Sequence, residues 1–140
     1  MLDLIIKNGS CYIDQDLKNQ DIAIKDGKIV TIGKVEEKAK EIYDAKGLTV
    51  LPGCIDTQTH FREPGSTDTE DLHSGGRAAV AGGITAVFEM PNTNPPTSTK
   101  KEFQRKLDLA KNRMYCNYAF YFGASADNAN ELADLKNLEG

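Results

Sequence analysis

What the 140-residue chain lacks already excludes several classes of protein. Its cysteines, Cys11, Cys54 and Cys116, are odd in number, widely spaced and free of any Cys-x-x-Cys pair. That argues against a disulfide framework and against a thiolate zinc site. Cys54 has no His, Lys or Arg directly beside it, so a small apolar residue is a simpler reading than a nucleophile. Seventeen basic residues face 21 acidic ones for a net charge of −4, and no Lys/Arg block with interleaved aromatics occurs, so a nucleic-acid footprint is missing. The apolar run at Met1-Leu2-Asp3-Leu4-Ile5-Ile6-Lys7 is far shorter than a signal-peptide core, and no stretch approaches membrane-spanning length. A cytoplasmic protein with no membrane partner is expected. Gly75-Gly76 and Gly82-Gly83 lack the spacing of a dinucleotide loop and read as close packing and helix termination. His73 has no His-x-x-x-His or Glu-x-x-His companion and reads as a solvated helix residue.

With 39% apolar and 27% charged residues the composition is that of an ordered globular chain. Residues 1 to about 50 read as short strands. Leu2, Leu4 and Ile6 alternate with Asp3, Ile5 and Lys7, and Asn8-Gly9 supplies a turn. Asp21-Ile22-Ala23-Ile24-Lys25 and Lys28-Ile29-Val30-Thr31-Ile32 flank Asp26-Gly27, a pair suited to a two-residue type I′ hairpin. From Thr49 strands alternate with helical patterns. Strand starts near Ile55, Thr85 and Asn117 have the spacing of successive βαβ units, which predicts an α/β fold with a parallel sheet. The first helix is expected to be capped by Thr67 with Glu70 three residues on, and to end at Gly82-Gly83. The second opens at Thr99 and buries Phe103, Leu107, Ala110 and Met114. A third begins near Asp127, with Leu132, Leu135 and Leu138 facing inward.

The chemistry concentrates in Leu51 to Gly65, where an apolar strand ends in Asp56, Gln58, His60, Arg62 and Glu63 before Pro64-Gly65. Gln58 and His60 share a strand face about 7 Å apart at the backbone, a span two ligands can close around one metal ion. His60 is the good ligand of the two; a histidine hydrogen-bonded to a neighbouring loop is its bland reading. Asp56 is in phase with both and could support a metal-bound imidazole, or simply accept from backbone donors. Arg62 suits a bidentate grip on a carboxylate, or a surface pair with Glu63 or Asp71. Asn92 alone reads as a turn residue beside Pro91 and Pro95-Pro96.

This segment resembles the strand-one signature of the cyclic amidohydrolases, and His60-Phe61-Arg62-Glu63-Pro64-Gly65 looks like its dihydroorotase form. The resemblance implies that residues 1–50 form a small β-sandwich segment. It implies that residues 51–140 are the N-terminal part of a truncated TIM-type (β/α)₈ metal-dependent hydrolase barrel, with about three βα units. It places zinc at His60 and at position 58, where Gln58 departs from the His-x-His pattern with a neutral amide that zinc seldom accepts. It assigns the substrate carboxylate to Arg62 together with Asn92 of the phrase Glu89-Met90-Pro91-Asn92-Thr93. The implied reaction is reversible hydrolysis of dihydroorotate to N-carbamoyl-aspartate in pyrimidine synthesis, the implied partner a small-molecule substrate, and the implied full-length form a homo-oligomer. Two alternatives stand beside it: a metal-free structural partner of aspartate transcarbamoylase, and another cyclic-amide hydrolase of the allantoinase or hydantoinase type. No catalytic residue is assigned within the chain. Because a complete barrel takes about 250 residues, a fragment inactive by itself is expected.

Overall fold

The computed structural model describes residues 1–132 and 135. The chain divides into two compact units, Met1–Pro52 and Gly53–Gly140. In the first, β1 (Leu2–Lys7), β4 (Asp21–Lys25), β5 (Lys28–Gly33) and β6 (Ala39–Asp44) form a four-stranded sheet in the order β5-β4-β1-β6. A second sheet joins β2 (Ser10–Ile13), β3 (Asp16–Asn19) and β7 (Thr49–Val50) in the order β3-β2-β7. The β4–β5 hairpin turns where expected: Asp26 and Gly27 adopt φ of 51° and 71°, the paired positive values a type I′ turn requires. The alternation in β1 is less simple than the sequence suggests. Leu2 and Ile5 are buried while Leu4 and Ile6 are half-buried, because β1 lies inside the sheet, antiparallel to β4 and parallel to β6. Leu2, Ile5, Ala23 and Val35 form this unit's core.

The second unit is an α/β layer. Strands β8 (Cys54–Thr59), β9 (Ile84–Glu89) and β10 (Asn117–Phe120) are parallel, in the order β10-β9-β8. Their starts lie within one residue of those predicted. Helix α1 (Leu72–Ala81) joins β8 to β9, and α2 (Lys100–Ala110) joins β9 to β10. Phe61, Leu72, Val87, Phe103, Ala110 and Phe120 make the core, each large side chain contributing about 1.5–3 kcal/mol by leaving water.

Helix α1 starts later than the Thr67–Glu70 pattern predicts. Its cap is Asp71, whose Oδ1 accepts from Ser74 N (2.6 Å) while Ser74 Oγ accepts from Asp71 N (3.0 Å). Residues 67–69 are instead a turn, with Thr69 N and Glu70 N both bonded to Ser66 O. A carboxylate and a hydroxyl answering each other's amides satisfy two free donors at once, and that outcompetes the threonine. Gly75 is packing, as expected, because a Cβ there would lie 2.6 Å from the Phe61 ring. Helix α2 begins after Thr99, whose hydroxyl accepts from Glu102 N. Its buried residues are Phe103, Lys106 and Ala110, so a lysine occupies a place on the stripe assigned to apolar residues. Met114 lies past the helix end but packs on the same core. The third helix, α3 (Ala129–Leu132), starts after Asn128; Leu135 is half-buried, and Leu138 lies outside the described residues.

Candidate functional site

Parallel strands bring all their carboxyl ends to one edge of the sheet, so the loops after β8, β9 and β10 converge there. Backbone bonds fasten them in sequence. Met90 N donates to Thr59 O (2.9 Å), Asn94 N to Pro64 O (2.9 Å), and Gly123 N to Thr97 O (2.8 Å). Gly65, at φ 131°, has Asn94 backbone atoms 3.3 Å from where its Cβ would be, so only glycine lets the first two loops meet this closely. The buried Asn128 side chain completes the set, donating to Ser98 O and Gly123 O (2.7 Å each).

The loops carry His60 and Asn92 into contact. His60 Nδ1 lies 2.9 Å from Asn92 Oδ1, an acceptor; in the neutral ring, donation from Nδ1 makes Nε2 the nitrogen that carries the lone pair. Arg62 and Asn92 line one small open cleft of about 120 Å³ together with Phe61, Pro64, Ser66, Thr93 and Asn94. The three residues His60, Arg62 and Asn92, separated by as many as 32 positions, thus share one rim. Of the two readings of Asp56, the structure shows the backbone contact: its Oδ1 accepts from Gln58 N (3.0 Å), and the side chain that meets His60 Nδ1 is Asn92. Gln58 is exposed, and the register of β8 on β9 shifts between Asp56 and Thr59. Such an irregularity re-aims side chains at a strand end, so strict two-residue alternation does not carry through the site.

Arg62 makes no hydrogen bond or ion pair with any described residue, because both of its possible partners are taken. Arg113 grips Glu63 with two bonds (2.8 and 3.0 Å) and reaches Asp71 at 3.3 Å. Glu63 Oε2 also accepts from Leu72 N at 3.0 Å. The Glu63 carboxylate beside it raises the Arg113 pKa further. Asp71 is held below the usual carboxylate range, chiefly by the Ser74 amide and hydroxyl. His73 is half-buried and meets the Tyr115 hydroxyl at 3.1 Å rather than standing in solvent.

Under the β9 loop lies a buried ion pair that no local pattern announces. The Lys106 ammonium and the Glu89 carboxylate are both fully buried and paired. Burial pushes the Glu89 carboxyl up to about 7 against the opposing pull of Lys106 and His60, and lowers the Lys106 pKa. Among the described residues, no three His, Cys, Asp or Glu side chains gather closely enough to hold a metal ion. None of the described helices is long and apolar enough to cross a membrane.

A parallel sheet whose strand-end loops collect an imidazole, a guanidinium and a carboxamide has the layout of an α/β enzyme site. Residues 49–138 match the amidohydrolase family, and the chain belongs to that family. It is 42% identical over 134 residues to an allantoinase from Escherichia coli O1:K1 / APEC, covering 95% of this chain and 30% of that protein. Among solved structures it superposes on the L-hydantoinase (dihydropyrimidinase) from Arthrobacter aurescens with a TM-score of 0.88 at 31% identity, covering 96% of this chain and 31% of that one. A D-hydantoinase gives 0.82 at 35% identity, covering 100% of this chain and 32% of that one. The chain therefore spans about a third of the length of these relatives. The superfamily expected from the strand-one segment is shown, but these relatives support allantoinase and hydantoinase kinship, and they do not carry the dihydroorotase or pyrimidine-synthesis expectation.

Proposed function

We propose that the chain is the N-terminal part of a cyclic-amide hydrolase of the allantoinase and hydantoinase type, in a (β/α) barrel whose first three strands are β8 to β10. The observation that carries this reading is the His60–Asn92 bond at the carboxyl edge. An imidazole whose Nδ1 is oriented by a carbonyl and whose Nε2 is free fits one position in a metal site. Gln58, two residues earlier, offers at most a weak amide oxygen. The chemistry supplied by zinc, when bound, is activation of water, whose pKa falls to about 7. His60 is the ligand from this chain, and the other ligands would come from outside its 140 residues. Asn92 holds the imidazole through Oδ1 and keeps its amide hydrogens for a ring carbonyl, while Arg62 faces the same cleft.

One observation favours a second reading, dihydroorotate as substrate. Arg113 takes both acidic neighbours of Arg62, leaving a guanidinium that no described residue binds and that suits a ring bearing a carboxylate. Turnover of allantoin, hydantoin and dihydroorotate by the longest product of the gene, with bound zinc quantified, tests both. Stoichiometric zinc with hydrolysis of allantoin or hydantoin, unchanged in Arg62→Ala, supports the first. Hydrolysis confined to dihydroorotate and reduced about 30-fold or more by Arg62→Ala supports the second, since a charge-assisted pair contributes about 2 kcal/mol. A product that binds no zinc and hydrolyses none of the three removes both.

A further inference from the structure

The Lys106 side chain does more than neutralise Glu89. From α2 it runs under the rim and donates to Met90 O at 3.2 Å and to Thr97 Oγ1 at 3.4 Å, while its ammonium sits 5.1 Å from the centre of the Phe120 ring. Met90 and Thr97 are the two ends of the segment that carries Asn92. Thr97 is itself buried; its amide bonds Pro91 O, its carbonyl accepts from Gly123 N, and its hydroxyl meets Thr93 Oγ1 at 3.3 Å. We propose that Lys106 is a positioning residue that closes the β9 loop from below, holding Met90 and Thr97 together so that Asn92 stays on His60, with Glu89 as the counter-charge that lets an ammonium be buried there. The ion pair makes poor sense as a device for stability. Lys106 is the only partner of either Glu89 oxygen among the described residues, and a buried pair so thinly bonded is usually matched or bettered by apolar side chains of similar size. It makes sense as an anchor, because an ammonium offers three donors in different directions, and here they reach a strand end, a loop hydroxyl and a carboxylate.

The closing of the loop is a statement about structure; its bearing on substrate rests on the cyclic-amide reading. The two are separated by a measurement that needs no substrate: amide hydrogen exchange and imidazole ¹⁵N shifts of the 140-residue chain. The double variant Glu89→Leu/Lys106→Met removes both charges while filling the same space. Its melting temperature is expected to stay close to that of the parent. Protection of the Asn94 and Thr97 amides should fall at least tenfold, and the His60 Nδ1 resonance should move toward that of a mixed-tautomer imidazole. Protection within twofold of the parent, with an unshifted His60, would overturn the proposal. Should the double variant not fold, Thr97→Val decides. It deletes one anchor oxygen at constant shape, and the proposal requires a severalfold loss of protection at Asn94, with no change at Val87 in the middle of β9. Equal protection at both sites would sink it. If the loop responds as expected while the longest gene product hydrolyses no cyclic amide, only the functional reading fails.

Discussion

The loops after β8 and β9 are each braced from beneath by an acid and a base, and the two braces are built on opposite principles. Under the first, a buried Glu63 meets Arg113, whose side chain stays about a third exposed. The guanidinium forks onto both carboxylate oxygens, and a helix amide uses Glu63 as well. Under the second, Glu89 and Lys106 are wholly enclosed, and among the described residues the carboxylate has no partner but the ammonium. The first pair contributes stability because every bond the buried carboxylate needs is made, by a guanidinium that stays partly in water and by a helix amide. The second costs stability and returns a fixed loop. Above both braces Arg62 has no partner among the described residues, so charge that is structural lies below the rim and charge available to a ligand lies on it.

The sharpest way to break this comparison is to remove one member of the enclosed pair. Lys106→Met alone strands the Glu89 carboxylate and is expected to cost about 3–5 kcal/mol in urea denaturation, whereas Glu89→Leu/Lys106→Met should lie within about 1 kcal/mol of the parent or above it. A double variant as damaged as the single one would show that the pair is itself a stabilising element.

Removing Glu63 comes next. Glu63→Ala leaves Arg113 with Asp71 and the Leu109 carbonyl but takes the acceptor from Leu72 N, and the loss of charge-assisted bonds is expected to cost about 2 kcal/mol. Since Arg113 is half-buried and can rehydrate, the cost should be clearly smaller than that of Lys106→Met. Equal costs would erase the distinction between the braces.

How much of this could be seen in the sequence follows the range of each signal. The Asp26-Gly27 hairpin, the Thr99 cap and the strand starts are specified within a few residues, and each was legible. The cap of α1 was misplaced although it too is local, because the Thr67–Glu70 spacing imitates a capping box while the Asp71–Ser74 exchange does not look like one in letters. What connects distant segments was invisible. Arg113 lies 50 residues from Glu63, and a helical stripe that reads as apolar hides Lys106 because nothing local announces a counter-charge on the neighbouring strand. His60, Arg62 and Asn92 were named from a motif, and their proximity followed from parallel strands placing successive loops on one edge. The contact of His60 with Asn92, in place of Asp56, had no signal in spacing at all.

The two regions should also respond to pH in opposite directions. Glu89 has its pKa raised to about 7, so the folded protein binds a proton that the unfolded chain releases near 4.5. Its contribution therefore falls as pH rises between those values. Asp71, in contact with Arg113, is shifted down, chiefly by Ser74; its contribution is present above 3.8 and is lost as pH falls through its lowered value. Melting temperatures from pH 3 to 8 test this. Glu89→Leu/Lys106→Met should flatten the profile between about 4.5 and 7, and Asp71→Asn should flatten only the acid limb. A double variant that keeps the parent's slope in the upper window would place that slope elsewhere.

The smallest effect sharpens the comparison from above. Arg62→Ala deletes a side chain that no described residue holds, and an exposed substitution of that kind is expected to change stability by no more than about 0.5 kcal/mol. The same change in the longest gene product should leave bound zinc unaltered, because the proposed ligand is His60 and the Asn92 bond to it does not pass through Arg62. A loss of stability comparable to that of Glu63→Ala would mean that Arg62 belongs with the braces, and the division between structural charge below the rim and ligand-facing charge on it would fail at its clearest point.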